Sequence, residues 1–243
     1  MIKTDNKRVF CAIDTKDIEL AVSLTARVKE YVRGIKLGLE FFSTHGPSGL
    51  SRLQEEGVPI FLDLKFFDIP NTVSEAVKAV VPYQPAMITL HATGGSDMLK
   101  AAVGSSHEVA ASLGLEPPLL LGVTVLTSLG RSDLAGTGVK GSLDDQVLRL
   151  AALSEASGLD GVICSAHELV KLRALCGRDF KLVVPGIRPG GTAADDQKRI
   201  MTPSEAMVAG ADYLVVGRPI TQAADVGYAA QQISTAVDEA LER

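Results

Sequence analysis

The sequence predicts a single α/β domain folded as a closed (β/α)8 barrel, and three observations carry that prediction. The chain has 243 residues, of which 46% are hydrophobic and 22% are charged, a composition typical of a globular protein. Eight short runs rich in Val, Ile and Leu recur along the chain, with helical patterns between them. The length also suits one barrel, because barrels of this kind commonly take roughly 200 to 250 residues.

The eight apolar runs are the predicted strands. Their near-continuous apolar character is typical of parallel strands that are buried on both faces. In chain order they span residues 8–14, 34–38, 59–66, 87–92, 119–126, 161–166, 181–187 and 213–220.

Amphipathic or Ala-rich segments separate these strands and predict helices. The clearest of them span residues 17–32, 71–81, 96–114, 144–157 and 226–241. Regular alternation of strands and helices favours a closed barrel. A doubly wound open sheet is the structural alternative, but residues 14–17 lack the GxGxxG pattern that would open its first helix. No linker or low-complexity tract divides the chain, so residues 1–243 are predicted to form one domain.

Charge and hydropathy restrict the partners and the location. The 24 Lys and Arg and 29 Asp and Glu give a net charge of −5, which argues against a nucleic-acid partner because phosphate binding needs an excess of basic residues. No apolar run approaches the roughly 18 residues that span a bilayer. Residues 1–7 also lack the apolar core of a secretory signal. We therefore expect a cytoplasmic protein without a membrane partner.

The cysteines and histidines do not predict a metal site. Cys11, Cys164 and Cys176 are widely spaced in apolar stretches and are interpreted as buried free thiols. The histidines show no metal-binding spacing. His91 is interpreted as a satisfied histidine of the core or rim.

Polar residues at the strand ends are candidates for function, because the active site of this fold forms where the strands end. These residues are Asp14, Lys36, Asp63, Lys65, His91, Thr127, Ser128, Ser165, Arg188 and Arg218. For Thr127 and Ser128, ligand contact and simple turn capping both remain open. Ser165 is interpreted as structural.

The strongest local pattern is FLDLKFFDIPNT, residues 61–72. Side chains alternate along a strand, so Asp63 and Lys65 point to the same face. Asp68 lies just beyond the strand end, and Lys36 can join the group from the preceding strand. A satisfied buried ion pair is the structural alternative, but such pairs stabilise poorly because desolvating each charge is costly. Four ionisable groups at one barrel mouth therefore favour a catalytic role.

The last two strand ends predict a phosphate site. Gly217 and Arg218 follow the apolar part of the final predicted strand, where such barrels often bind phosphate through a short helix N-terminus and an Arg side chain. The long polar stretch at 185–203 carries Arg188 and Gln197, which are predicted to close over a ligand.

Together these motifs closely resemble the orotidine 5′-phosphate decarboxylase family of the bacterial type. The resemblance covers essentially the whole chain. It rests on DLKFFDIP at 63–70, VPGIRPGG at 184–191, the Asp-Gln pair at 196–197 and VVGRPIT at 215–221. It implies a homodimeric barrel that converts orotidine 5′-monophosphate to uridine 5′-monophosphate and CO2, without metal or organic cofactor.

The resemblance also implies a role for each matching residue. Lys65 corresponds to the proton donor, Asp63 to its carboxylate neighbour, and Asp68 to an acid that reaches the partner subunit's site. Lys36 completes the charged array. The resemblance also implies contacts with each part of the substrate. Asp14 and Lys36 contact the ribose, and Thr127 and Ser128 contact the pyrimidine. The phosphate and lid positions are Arg188, Gln197, Gly217 and Arg218, and the remaining substrate-binding positions are Asp63, Asp68, Ile69 and Thr72.

Two other functions remain open. Related barrels use an acidic motif in the third strand to bind Mg²⁺ and act on sugar phosphates, and these enzymes are sensitive to chelators. A non-catalytic nucleotide-binding barrel is the third possibility, although Lys65 beside two carboxylates favours chemistry.

Overall fold

A computed structural model describes residues 7–189 and 201–242. It confirms the predicted closed barrel, in which eight parallel strands pair in chain order and the last strand pairs with the first. The strands are β1 (Val9–Ile13), β2 (Gly34–Gly38), β3 (Ile60–Phe66), β4 (Met87–His91), β5 (Leu119–Val123), β6 (Gly161–Ile163), β7 (Lys181–Pro185) and β8 (Tyr213–Val216).

Helices connect these strands and cover the outside of the barrel. Within the described ranges they are α1 (Ile18–Val28), α2 (Leu39–Gln54), α3 (Pro70–Val80), α4 (Ser96–Leu113), α5 (Arg131–Gly136), α6 (Leu143–Ala156), α7 (Leu169–Leu175), α8 (Pro203–Val208), α9 (Arg218–Thr221) and α10 (Val226–Leu241). None of the described helices is both long enough and apolar enough to cross a membrane.

Each predicted strand is present, but three predicted runs extend three or four residues past the strand ends: 119–126 beyond Val123, 161–166 beyond Ile163 and 213–220 beyond Val216. Strand β8 ends at Val216, and α9 begins at Arg218 with Pro219 in its first turn. Pro219 has no backbone N–H to donate to a sheet and its φ suits the start of a helix, so it ends the strand pattern. Arg218 therefore lies at a helix N-terminus, beyond the end of the strand.

The core has two layers. Inside the barrel, Phe10 and Phe61 meet edge to face with ring centroids 5.8 Å apart, and the other buried apolar side chains there are Ala12, Met87, Leu121, Val183 and Val215. Alternate residues of the same strands face the helices and form the outer layer. The three cysteines are buried and free, as predicted.

Two aspartates join neighbouring strands at the end of the barrel where the strands begin. Asp160, just before β6, accepts a hydrogen bond from the Leu120 N–H at 2.7 Å. Asp212, just before β8, accepts one from the Leu182 N–H at 2.8 Å and pairs with Arg173 at 2.6 Å. These contacts stabilise the end of the barrel that lies away from the candidate site.

Candidate active site

A chain of alternating charges lies at the C-terminal ends of β1, β2 and β3. Lys65 Nζ donates to Asp63 Oδ1 at 2.9 Å, and Lys36 Nζ lies 3.3 Å from Asp63 Oδ2. Lys36 Nζ also lies 3.5 Å from Asp14 Oδ1. The fold thus brings together four residues that the sequence placed on three predicted strands, and each lysine faces at least one carboxylate.

Burial and charge act in opposite directions on Asp63. Only 12% of its side chain is exposed, and burial by itself would raise its pKa. The positive charges of Lys36 and then Lys65, with hydrogen bonds from Lys65 and Thr89, outweigh burial and hold the pKa of Asp63 below its usual value. Asp63 is therefore ionised at neutral pH.

Lys65 has an unusual backbone conformation for a lysine, with φ of 50°. The register between β3 and β4 shifts between Leu62 and Phe66, so the strand is irregular where it carries Lys65. The Lys65 N–H donates to Thr89 Oγ1 at 2.9 Å, and Thr89 Oγ1 donates to Asp63 Oδ1 at 2.9 Å.

Sequence reasoning did not select Thr89, although a signal was present. Met87 and Thr89 are two residues apart in β4 and share a face, and Met87 packs inside the barrel. Thr89 was therefore predictable as a polar residue on the inner face, next to the strand that carries Asp63.

A largely apolar cavity of about 240 Å³ opens beside Lys65. Lys36, Asp63 and Lys65 form one wall, and the rest is lined mainly by Val123, Val125, Leu126, Ile163, Cys164, Pro185 and Val215. Thr127 and Ser128 also line it, from a turn that the Leu129 N–H closes onto the Leu126 carbonyl at 2.9 Å. These two residues both form a turn and face the cavity, so the two predicted roles are compatible.

A second, more polar cavity of about 470 Å³ adjoins the first and shares Lys36 and Asp63 with it. The other charged residues and the glycines that line this cavity are Asp14, Gly186, Arg188, Gly217 and Arg218. Gln222 lines it as well and was not predicted from the sequence. Arg188 is only 6% exposed. Gln197 lies outside the described residues. The two cavities form one cleft with an apolar part, a charged centre and a part lined by arginines.

Comparison with known proteins gives the family. The sequence profile of the Orotidine 5'-phosphate decarboxylase / HUMPS family matches residues 7–233. The chain belongs to this family. Orotidine 5'-phosphate decarboxylase of Rhodospirillum rubrum is 52% identical over 96% of this chain and 95% of that protein, and that of Paramagnetospirillum magneticum is 50% identical over 93% and 96%. The crystal structure of the Lactobacillus acidophilus enzyme has a TM-score of 0.86 at 36% identity, covering 96% of this chain and all of that one.

The decarboxylase motif of β3 continues into residues that the fold does not bring into the cleft. Asp68, Ile69 and Thr72 are all exposed, and Asp68 Oδ1 accepts the Ile69 N–H at 2.7 Å. Among residues 7–189 and 201–242, Asp68 has no ion-pair partner. Within one subunit Asp68 is therefore not part of the charged array.

His91 is not the satisfied histidine that the sequence suggested. It lies half-buried at the end of β4, with its ring centroid 5.7 Å from that of Phe67. Its Nδ1 is buried without a hydrogen-bond partner in the described part of the chain. Burial and, to a smaller degree, the charge of Lys65 lower the pKa of His91, so the ring is neutral at neutral pH.

No group of three or more His, Cys, Asp or Glu residues arranged to hold a metal ion occurs in the part of the chain that the structure describes. The two aspartates of the charged array each face Lys36. The cleft as described thus presents ammonium groups, and not a cluster of carboxylates, to a ligand.

Proposed function

We propose that this protein decarboxylates orotidine 5′-monophosphate to uridine 5′-monophosphate and CO2 in pyrimidine biosynthesis, with Lys65 as the proton donor to C6 of the pyrimidine. Membership of the family and the names of its relatives support the reaction. One structural observation carries the role of Lys65. Its side chain lines the apolar cavity, and its ammonium group is paired with Asp63, which lines both cavities.

The chemistry explains why an ammonium group is needed there. When the bond between C6 and the carboxylate breaks, its electron pair stays on C6 in the plane of the ring, where the π system cannot delocalise it. Positive charge that is already in position stabilises such an anion better than water does. Lys65 Nζ supplies that charge and then transfers a proton to C6, and the neutral amine regains a proton from solvent.

Asp63 has two effects in this scheme. It orients Lys65, and its negative charge lies close to the substrate carboxylate, so that this repulsion is relieved as CO2 leaves.

The apolar part, the charged centre and the arginine-lined part of the cleft suit the pyrimidine, the ribose and the phosphate of the substrate, respectively. The apolar cavity suits the pyrimidine, with Thr127 and Ser128 at its edge. Asp14 and Lys36 lie where the ribose hydroxyls would reach them, and Arg188, Gly217 and Arg218 line the end that suits a phosphate. Gln197 belongs to this phosphate group by resemblance alone. Binding energy from the phosphate would help to close and desolvate the site.

We also propose a cytoplasmic homodimer in which Asp68 acts in the site of the other subunit, with Ile69 and Thr72 beside it. Exposed apolar side chains near the barrel mouth support this arrangement. Leu39 is 56% exposed, Phe67 60% and Ile69 65%. Leu39 follows β2, and Phe67 and Ile69 follow the neighbouring strand β3. Large exposed apolar side chains grouped on one face are typical of surfaces that bind another protein.

The experiment that tests the function is to follow the ultraviolet spectrum of orotidine 5′-monophosphate with purified protein and excess chelator. We expect conversion to uridine 5′-monophosphate at an unchanged rate. A reaction that stops with chelator and returns with Mg²⁺ would favour the metal-dependent sugar-phosphate enzymes instead. Tight nucleotide binding without any product would favour the non-catalytic barrel.

A further inference from the structure

We propose that Thr89 is a positioning residue for the decarboxylation: its hydroxyl holds both the Asp63 carboxylate and the Lys65 backbone, and so aims Lys65 Nζ at the reacting carbon. This inference rests on the proposed function and extends it to a residue outside the motifs that carry the resemblance. Thr89 lies on β4, the strand next to the one that bears the charged pair.

The hydrogen bonds of Thr89 leave little freedom in this part of the site. A hydroxyl has one proton to donate, and Thr89 donates it to Asp63 Oδ1 at 2.9 Å. One lone pair accepts the Lys65 N–H, also at 2.9 Å. Thr89 is fully buried, so bulk water does not compete for either contact.

The backbone of Lys65 needs such an acceptor. In a regular parallel pair its N–H would bond to a carbonyl of β4, but the paired residues stop at Leu62 and resume at Phe66. Lys65 has a positive φ, a conformation that residues other than Gly rarely adopt unless their surroundings hold them there. The Thr89 hydroxyl replaces the missing carbonyl and fixes this conformation.

The carboxylate of Asp63 is held on both oxygens. Oδ1 accepts from Thr89 and from Lys65 Nζ, while Oδ2 faces Lys36 Nζ at 3.3 Å. Lys36 on β2 and Lys65 on β3 are the charged groups that face Asp63. From β4, the neutral Thr89 contacts Asp63, and the neutral His91 lies nearer to Lys65. Without the hydroxyl, Asp63 can rotate about its side-chain bonds and Lys65 Nζ moves with it.

Thr89→Val is the main test, because valine has nearly the same shape but no hydroxyl. We expect kcat to fall about 10- to 100-fold, the range that corresponds to one lost buried hydrogen bond to a charged group, with KM within about threefold of the original. The acid limb of the kcat against pH profile should move to higher pH, because Asp63 loses a hydrogen bond that lowers its pKa.

Thr89→Ser is the matched control, because it keeps the hydroxyl and removes only the methyl group. It should retain most of kcat and the original acid limb. If Thr89→Val does not fold, Thr89→Ser and Thr89→Ala, which differ only in the hydroxyl, form the same comparison. Equal kcat and equal pH profiles for the two members of either pair would overturn the proposal, and so would a change confined to KM or to the melting temperature.

A readout that does not depend on turnover separates this inference from the proposed function. The pKa of Asp63 can be followed by carbon NMR of protein labelled at aspartate carboxyl carbons, with Asp63→Asn used to assign the signal. We expect a higher pKa in Thr89→Val than in Thr89→Ser. An unchanged pKa would refute the positioning role, whereas a protein that shows this shift but does not decarboxylate the nucleotide would refute only the proposed reaction.

Discussion

Lys65 combines a rare backbone conformation with a fixed ion pair, so the position of its Nζ is determined by its neighbours. Asp63 accepts from Nζ at 2.9 Å, and 29% of the Lys65 side chain remains exposed to the cleft. A flexible lysine would spread its charge over many positions, whereas a held one is already oriented when the reaction begins. Electrostatic catalysis depends on this preorganisation.

Removing the ammonium group should abolish turnover and leave nucleotide binding measurable. For Lys65→Ala we expect kcat to fall by at least about a thousandfold, within the range for loss of a general acid and its charge. Uridine 5′-monophosphate should still bind, because the arginines at the phosphate end are unchanged, and titration calorimetry measures this. Lys100→Ala, at an exposed position, is the control. Substantial activity in Lys65→Ala would exclude Lys65 as the proton donor.

Asp63 should make the free energy of unfolding depend on pH. Its pKa in the fold is below the usual value, so its stabilising effect is complete above the pKa of the unfolded chain, about 4, and is lost as pH falls through the folded value. At pH 7, Asp63→Asn should be less stable by about 3 kcal/mol, because two ammonium groups lose their buried partner. Urea unfolding from pH 7 to pH 3 should show this difference shrinking, and a difference that stays constant would contradict the ionised pair.

At the scale of elements, the barrel is tightly packed where its strands begin. A Cβ added to Gly161, the first residue of β6, would lie 2.2 Å from the backbone oxygen of Lys181. That oxygen belongs to β7 and cannot move without moving its strand. Asp160 and Asp212 join strands at the same end of the barrel. This end supports the fold, while the opposite end carries the chemistry.

Gly161→Ala should therefore lower stability without changing kcat. We expect the free energy of unfolding to fall by about 1 to 3 kcal/mol because of the steric clash. The melting temperature should fall by roughly 2 to 4 °C for each kcal/mol. Gly104→Ala is the matched control, since its new Cβ meets nothing within 4 Å in the exposed middle of α4. There alanine should raise stability by about 0.5 to 1 kcal/mol. Equal melting temperatures for the two variants would contradict this account of the strand ends.

Elements with regular patterns were predictable from sequence, and irregular ones were not. The strands follow from continuous apolar runs, and α10 matches its predicted bounds. The α2 segment was not singled out, because Gly46, with φ of 56°, and Pro47 break it into two helical pieces. The positive φ of Lys65 was not visible in an alternating pattern that assumes a regular strand.

The charged array was predictable for the same reason, since each member ends or lies within a strand of one barrel. The role of Thr89 was not selected because it depends on the register shift between β3 and β4, which the sequence of either strand alone does not reveal. Asp68 shows the opposite limit. Its motif is clear, but it lies outside the charged array of its own subunit, so its proposed role requires a second subunit that the sequence does not describe.

At the scale of the whole molecule, one barrel leaves an apolar surface beside its own cleft. Phe67 and Ile69 flank Asp68 on the chain, and all three are exposed. A surface that is apolar around one acid buries well against a second copy, and an isologous contact would place each Asp68 near the partner's cleft. The proposed dimer therefore gives this acid a function that it does not have within a single subunit.

Mixing two inactive variants tests this shared site. In a hybrid of Lys65→Ala with Asp68→Ala, one cleft has both defects and the other has neither, because Lys65 and Asp68 of a cleft come from different chains. Random exchange at equal amounts makes half of the dimers hybrids, so activity should return to about one quarter of the original value. Lys65→Ala mixed with Asp63→Ala is the control and should show no recovery, because both residues of each cleft come from one chain. Native mass spectrometry verifies exchange, and verified hybrids without recovered activity would show that Asp68 does not act across the interface.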